Sequence, residues 1–279
     1  MARLSKPHTE EKLKLLEKYL TAYVNATKKA KERYYIDALA GDGQCEIKTP
    51  LTSKTIDGSP LISIKINPPF SKCFFIEIDK EKIETLSKLL RDFPQDRYEI
   101  REGDCNLVID EILSKIPLQA PCFAFLDPEG FEVDWLTIKK IADYKRNSNT
   151  KIELFILFPY NMAITRLLPL DTEKFDEEKA NSDFNRILPD NSWLAVYNDR
   201  IKGRLKSKEM RRRILDIFSN GLKKLGYKFV QSRLIKSSRG RPIYDMFFAT
   251  DHKAGADIME YVFGKDWIRG QTSLLNKLT

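Results

Sequence analysis

The sequence has few of the residues that usually build metal sites or thiol-based sites. Among its 279 residues there are only two histidines, His8 and His252, and four cysteines. The cysteines show neither Cys-x-x-Cys spacing nor histidine neighbours, so the sequence gives no indication of a zinc site. Each lies at or beside a predicted strand end, where a free thiol serves as a small hydrophobic side chain. We expect no bound metal and a structural role for the four thiols, Cys45, Cys73, Cys105 and Cys122.

Long apolar segments are also missing. No stretch approaches the roughly 18 to 20 apolar residues that a membrane-spanning helix needs, and the N-terminus shows no apolar region typical of a signal peptide. Because 42% of the residues are hydrophobic and 32% are charged, the chain can bury a sizeable core. We expect a cytoplasmic protein that does not bind membranes.

What the chain does have is a set of shorter apolar runs that end in acids or glycines. Three of them are YYIDALAGDG (34–43), CFFIEID (73–79) and CFAFLDPEG (122–130). Continuous hydrophobic runs are typical of buried parallel strands, and open α/β sheets bind ligands just beyond the carboxyl ends of their strands. We therefore expect the functional site at these three strand ends.

Strand and helix patterns alternate along most of the chain. An amphipathic helix is predicted over 10–31, residues 44–57 are predicted to be irregular, and a basic helix is predicted over 207–225. The alternation predicts an α/β fold with a mostly parallel seven-stranded sheet and a C-terminal antiparallel hairpin. This Rossmann-like arrangement is typical of class I S-adenosylmethionine-dependent methyltransferases. The seven predicted strands are 34–40, 72–78, 98–103, 121–126, 151–158, 227–235 and 243–250.

The same pattern suggests a division of the chain. We expect an N-terminal helical segment over 1–32, a methyltransferase-like domain over 33–263 and a C-terminal tail over 264–279. Residues 161–200 fit no strand and are rich in Asp, Glu, Asn and aromatic residues. We interpret them as an insertion or a lid over the strand ends.

The first strand end predicts contacts with the methionyl part of S-adenosylmethionine. Gly41 and Gly43 would let the loop approach the cofactor closely, because a side chain there would collide with it. Ala40 belongs to the same predicted contact. Asp37 could receive the cofactor's ammonium group, directly or through water. Glycines after a strand, however, often form only a turn.

The next two strand ends predict contacts with the nucleoside part of the cofactor. Glu77 is placed to accept hydrogen bonds from both ribose hydroxyls. Asp104 could accept from the adenine amino group, with the backbone N–H of Cys105 nearby. The alternative is that strand-end acids only cap the following helices, as Asp79 or Asp134 could. Dinucleotide binding is the nearest competing function, but GDGQCEIK lacks the third glycine and does not open a helix.

The order of the motifs resembles that of a known family. YIDALAGDG, GSPL, FFIEID, FLDPEG with a following W-L-T-I helix, LFPYNMAITR and IYDMFFATDH are together similar to the three-Cys-motif partner (TcmP) proteins, over about residues 34–252. The resemblance implies a methyltransferase fold and association with a separate three-cysteine-motif protein. It also supports Asp37, Gly41, Gly43 and Glu77 as cofactor positions. Glu129 departs from the aromatic or small residue that is commoner after Asp-Pro.

FLDPEG is also comparable with the D-P-P-Y loop of amino-group methyltransferases. In that loop the acid and a proline carbonyl accept hydrogens from the target amine, and the aromatic residue stacks on a base. Asp127 and Pro128 match this pattern, Glu129 and Gly130 do not, and Phe131 is the candidate for the missing aromatic residue. We predict Asp127 as the catalytic residue, orienting the nucleophile or accepting its proton. The alternative is that Asp-Pro only turns the chain out of the strand.

Positive charge is concentrated in one part of the chain. Lys and Arg total 48 and Asp and Glu total 40, for a net charge of +8. Residues 200–241 hold 15 basic residues against Glu209 and Asp216, which gives this segment +13 and leaves −5 for the rest. Such asymmetry indicates a surface for nucleic acid, although a solvated helix face would give the same pattern.

Two functions follow from these patterns. The first is an S-adenosylmethionine-dependent methyltransferase that acts on a nucleic acid or a nucleic-acid-associated protein. The second is a non-catalytic subunit with the same fold that binds a protein partner or nucleic acid. Residues 271–275 are similar to glutamine-plus-hydrophobic motifs that bind sliding clamps, with Gln271 fixing register and Leu274 and Leu275 entering an apolar groove. Alternatively, these leucines pack on the protein's own surface.

Overall fold

The computed structural model describes residues 3–5, 7–48, 53–148, 150–237 and 240–264. Besides short 3₁₀ helices at Gln95–Arg97 and Thr172–Lys174 and a π-helix at Tyr160–Ile164, these residues form ten strands and ten α-helices. In chain order they are β1 (Arg3–Ser5), α1 (Pro7–Ala26), β2 (Tyr34–Asp37), β3 (Gln44–Lys48), β4 (Ser53–Asp57), α2 (Ser59–Lys65), β5 (Lys72–Glu77), α3 (Lys80–Leu90), β6 (Tyr98–Glu102), α4 (Cys105–Ser114), β7 (Cys122–Leu126), α5 (Trp135–Tyr144), β8 (Glu153–Phe158), α6 (Thr165–Leu167), α7 (Glu177–Ile187), α8 (Ser192–Ile201), α9 (Ser207–Lys224), β9 (Phe229–Lys236), β10 (Pro242–Thr250) and α10 (Lys253–Phe263).

Seven strands form the main sheet, in the order β6-β5-β2-β7-β8-β10-β9. β2 pairs in parallel with both β5 and β7, whereas β10 runs antiparallel to both of its neighbours. The predicted α/β fold and its antiparallel C-terminal hairpin are therefore confirmed. Because β5, β2 and β7 are adjacent and parallel, the three acidic strand ends lie side by side at one edge of the sheet.

The central strands β2, β7 and β8 are buried on both faces of the sheet, which explains their continuous apolar runs. Alternate side chains of one strand point to opposite faces. Tyr35 of β2 therefore belongs to the core formed with helices α1, α2, α3 and α10, and Ile36 belongs to the core formed with α4, α5 and the helices that follow β8. Both side chains are fully buried. Strands with this environment read as hydrophobic runs because no position on them meets water.

Helix α1 covers one face of the sheet and is anchored there by a buried polar group. The ring of Tyr19 lies 4.8 Å from that of Phe248, and its hydroxyl donates to Glu153 Oε2 at 2.6 Å. Thr250 donates to the other carboxylate oxygen at 2.8 Å. Burial raises the pKa of Glu153 to about 7. The helix ends at Ala26 rather than at residue 31, because residues 27–31 (TKKAK) are rich in lysine and offer no large apolar side chain to the sheet.

Residues 44–57 are not irregular as predicted. β3 and β4 form an antiparallel pair, and β1 pairs in parallel with β3, so these strands make a second, three-stranded sheet. The prediction was wrong because the strands are short and β4 (SKTID) is largely exposed, so it lacks the apolar content on which strand prediction depends.

The segment after β8 is helical among the described residues. The rings of Phe184 in α7 and Trp193 in α8 stack with centroids 4.4 Å apart, and both side chains are fully buried. The absence of a sheet strand within 161–200 therefore agrees with the sequence, and the lid role stays a prediction. Among the described residues, none of the helices combines the length and the apolar character that a membrane span requires.

Candidate functional site

A small cleft of about 60 Å³ that opens to solvent lies at the carboxyl ends of β2 and β7. Four of the residues predicted from the sequence line it: Ala40, Gly41, Gly43 and Asp127. The opposite wall comes from the first turns of α1, which contribute Thr9, Lys12 and Leu13, and from the start of α2, which contributes Gly58 and Ser59. The sequence did not predict either of these contributions.

The glycine loop is fixed by the acid that ends the neighbouring strand. The backbone N–H of Gly41 donates to Glu77 Oε2 at 2.8 Å. The other oxygen of Glu77 accepts from the N–H groups of Ile78 and Asp79, at 2.9 and 3.0 Å. Gly41 has a φ of +69°, a conformation in which glycine is strongly favoured. Glu77 thus couples the end of β5 to the loop after β2.

A second contact holds the far side of the glycine loop. The N–H of Gly58 donates to the carbonyl of Gly43 at 2.7 Å. A Cβ atom on Gly58 would lie 2.8 Å from that carbonyl oxygen, which is closer than real Cβ atoms approach. The GSPL motif therefore needs glycine at this position, so that α2 can begin directly against the loop.

Asp37 is the last residue of β2 and is fully buried. Its Oδ2 accepts a hydrogen bond from the hydroxyl of Tyr35 at 3.2 Å, whereas Oδ1 has no hydrogen-bond partner. Burial raises the pKa of Asp37 to about 7, and the negative charge of Asp127 acts in the same direction, against the lowering effect of Ser59. A carboxyl group in this state can exchange a proton near neutral pH.

Asp127 follows β7 and forms an ion pair with Lys12 of α1. The two side chains are 19% and 10% exposed, so the pair is largely removed from water. Lys12 precedes the buried Leu16 and Leu20 by four and eight residues, which places it on the apolar stripe of α1. A lysine on the buried face of an amphipathic helix was the available signal, and the sequence-based prediction missed it.

Asp104 and Cys105 lie at the next strand end but outside the lining of the described cleft. The N–H of Gly103 donates to the carbonyl of Glu77 at 2.9 Å, which places the start of α4 beside that acid. Asp104 caps α4 by accepting from the N–H of Asn106 at 2.9 Å, and Cys105 is buried. Helix capping thus accounts for one carboxylate oxygen of Asp104. Asp79 caps α3 in the same way.

Asn106 connects this strand end with the loop that contains Asp127. Its Nδ2 donates to the carbonyl of Glu132 at 2.7 Å, and its Oδ1 accepts from the N–H of Asp134 at 2.9 Å. Pro128 in that loop is buried, and the ring of Phe131 lies 6.4 Å from the ring of Phe184. The loop after β7 is therefore held from two sides.

Cys73, Cys105 and Cys122 are buried and form no disulfide. Burial raises the pKa values of Cys73, Cys105 and Cys122 to about 12, so these groups stay protonated. These three serve as small hydrophobic side chains, as predicted, whereas Cys45 is only half-buried. The described part of the chain contains no group of three or more His, Cys, Asp or Glu residues arranged to hold a metal ion.

The basic segment is more heterogeneous than its composition indicates. Arg211 is not an exposed cation, because it forms an ion pair with the buried Asp245 and its guanidinium lies 5.5 Å from the ring centroid of Tyr160. Arg212 and Arg213 are more exposed but share Glu209 as a partner. The exposed cations around the start of α9 are Lys202, Arg204, Lys206 and Lys208.

Several solved structures resemble the chain at low similarity. The O-methyltransferase from Bacillus cereus in complex with SAH is 11% identical with a TM-score of 0.42, and the match covers 84% of this chain and 80% of that one. TomG from Streptomyces achromogenes, an O-methyltransferase in complex with SAM, has the same identity and TM-score, with coverages of 84% and 79%. M. jannaschii TYW2 in complex with AdoMet is 11% identical with a TM-score of 0.37, and the coverages are 82% and 75%.

No family model matches the chain, and no curated protein matches it. The resemblance to the three-Cys-motif partner proteins therefore stays a prediction.

Proposed function

We propose that this protein is an S-adenosylmethionine-dependent methyltransferase. The observation that carries the proposal is the set of groups at the carboxyl ends of β5, β2 and β7. There, a glycine loop held by Glu77 borders the same cleft as Asp127. Open α/β sheets bind their ligands at such strand ends, and this loop offers backbone rather than side chains to a ligand.

The groups present fit the cofactor. Gly41 has open space where a side chain would begin, so a ligand can approach the backbone. The unpartnered Oδ1 of Asp37 is an acceptor for the cofactor's ammonium group, directly or through water. A carboxylate has about four lone-pair sites, and three backbone N–H groups bind Glu77. One ribose hydroxyl would donate to the remaining site, and the other would replace the N–H of Gly41 as a donor to Glu77.

The proposed roles of the other residues follow from their places in the fold. Ala40 and Gly43 line the cleft and would contact the methionyl part. Asp104 has one oxygen occupied by the cap of α4, so its second oxygen would accept from the adenine amino group. The N–H of Cys105 lies at the same helix start. Exposed Ile78, which is 65% accessible, adds an apolar side chain next to Glu77.

The proposed mechanism assigns the acceptor side to Asp127. The bound cofactor supplies an electrophilic methyl group for in-line displacement. Asp127 would accept a hydrogen bond from the acceptor group, orient its lone pair and take up its proton. Holding the reacting atoms about 3 to 3.5 Å apart supplies much of the acceleration. Because Lys12 pairs with Asp127, the acceptor must share this carboxylate with the Lys12 ammonium group.

We further propose that the acceptor is a nucleic acid or a nucleic-acid-associated protein. The support is the net charge of +13 in residues 200–241 and the exposed cations at the start of α9. Phosphate groups of a nucleic acid would pair with such cations and release counterions.

A non-catalytic subunit is the second candidate function. Two features favour it: Asp127 is held in an ion pair, and Glu129 and Gly130 replace the residues expected after Asp-Pro in amino-group methyltransferases. In this role the protein would keep the fold and the cofactor site but act by binding a protein partner or nucleic acid.

Calorimetry with S-adenosylmethionine and S-adenosylhomocysteine tests the proposal first. We expect saturable binding of both ligands by the full chain, because the protein has all the cofactor-binding groups named above. Transfer of a labelled methyl group to a nucleic acid or protein fraction then separates the two candidates. Binding without transfer to any fraction supports the non-catalytic subunit, and absence of binding contradicts the methyltransferase.

Two partners remain proposals. The resemblance to the three-Cys-motif partner family predicts copurification with a three-cysteine-motif protein. The motif over 271–275 predicts capture of a sliding clamp, and this motif lies outside the described residues. Equal capture of a clamp by the full chain and by a variant carrying Leu274→Ala and Leu275→Ala would exclude the motif as the contact.

A further inference from the structure

Lys12 is the feature of the cleft that the proposed mechanism leaves without a role of its own. Lys12 is the only cation among the described lining residues, and it is 8% exposed. A lysine in such a place keeps its ammonium group in the cleft only if that group has partners there. The ion pair with Asp127 supplies one partner. An ammonium group has three N–H donors, so it can bind further acceptors at the same time.

We propose that Lys12 binds the carboxylate of the methionyl part of S-adenosylmethionine. The inference rests on the proposed function and assigns one more residue to the same site. Lys12 faces the loop that contains Gly41 and Gly43, which is the part of the cleft assigned to the methionyl group.

The charges around the cleft make a cation necessary for this carboxylate. Asp42 and Asp127 both line the cleft, and Asp37 lies buried beside it. A ligand carboxylate that entered this acidic surrounding unpaired would be repelled by like charges. Lys12 is the group in the described lining that can offset this repulsion. Thr9, in the first turn of the 20-residue helix α1, also lines the cleft. The positive end of the helix dipole therefore adds to the attraction for a carboxylate.

The decisive probe is a pair of ligands that differ only in the carboxylate. S-Adenosylhomocysteine carries it, and the decarboxylated analogue of S-adenosylhomocysteine does not. The variant Lys12→Met keeps the apolar stem of the side chain and removes the charge. Lys14→Met is the matched control, because Lys14 lies on the same helix with a side chain that is 64% exposed.

We expect Lys12→Met to weaken binding of S-adenosylhomocysteine by about 10- to 100-fold, as for loss of a charge-assisted hydrogen bond. Binding of the decarboxylated analogue should stay within about twofold of wild type, and Lys14→Met should bind both ligands as wild type does. Lys12→Arg should restore part of the difference between the two ligands. Circular dichroism and urea unfolding of each variant show whether the fold is kept.

Each alternative result has a separate meaning. Equal weakening of both ligands by Lys12→Met would show that Lys12 shapes the cleft without recognising the carboxylate, and unchanged binding of both would remove it from the site. Either result overturns the inference and leaves the proposed function standing. A wild-type protein that binds neither ligand contradicts the proposed function itself.

Discussion

The buried carboxyl group of Glu153 should make the stability of this protein fall as the pH rises. Burial raises the pKa of Glu153 from 4.5 to about 7, while hydrogen bonds from Tyr19 and Thr250 oppose part of the shift. Between these two values the folded protein holds a proton that the unfolded chain releases. Unfolding therefore releases a proton in this range, and the free energy of unfolding decreases with rising pH.

The size of the effect follows from the shift. One pKa unit corresponds to about 1.4 kcal/mol, so a rise from 4.5 to about 7 corresponds to about 3 kcal/mol between pH 4 and pH 8. Glu153→Gln replaces the carboxyl group by a neutral group of the same shape. The variant should lose this part of the pH dependence, because its amide does not titrate.

Urea unfolding at several pH values measures the difference directly. The difference in unfolding free energy between wild type and Glu153→Gln should change by about 3 kcal/mol from pH 4 to pH 8, in favour of the variant. Asp37 and Asp245, whose pKa values burial raises to about 7 and about 6, titrate in both proteins and cancel. Glu84→Gln, at an exposed position on α3, is the control. Parallel curves for wild type and Glu153→Gln would refute the reasoning.

Three further predictions concern the site and the basic segment. Glu77→Ala should weaken cofactor binding by about 2 to 4 kcal/mol in calorimetry while the protein stays folded; unchanged affinity in a folded variant would contradict the assignment. Asp127→Ala should keep most cofactor affinity and lower any methyl transfer by about a hundredfold or more, and parallel loss of both would place Asp127 among the cofactor contacts. A plot of the logarithm of the nucleic acid binding constant against the logarithm of the salt concentration should have a slope of about −0.7 to −0.9 per phosphate contact. Charge reversal of Lys206 and Lys208 should flatten that slope, and a salt-insensitive interaction would contradict a phosphate contact.

The sequence predicted the main sheet because its central strands are buried on both faces. Burial of β2, β5, β7 and β8 favours apolar residues at most positions, and such runs stand out from amphipathic helices. The short strands β3 and β4, of which β4 is largely exposed, carry no comparable pattern. Their pairing depends on contacts with each other and with β1, which are not visible in any one segment.

The strand-end acids were predictable for the same reason, whereas their partners were not. Glu77 ends an apolar run, so its place at the edge of the sheet follows from the sequence. That it binds the N–H of Gly41 depends on β5 lying next to β2, which is a property of strand order. Composition likewise located the basic segment but not the buried Asp245 that neutralises Arg211.

Helix α1 joins the core of the sheet to the wall of the cleft. Tyr19 binds Glu153, the first residue of β8, whereas Lys12 binds Asp127 just after the last residue of β7. Because β7 and β8 are parallel, these contacts lie toward opposite ends of the sheet, and seven helical residues span about 10 Å between them. The packing of Tyr19 against Phe123 and Phe248 therefore fixes where Lys12 enters the cleft. Helix α1, which the sequence shows only as an amphipathic helix, thus supplies both the buried anchor Tyr19 and the charged group Lys12 of the candidate site.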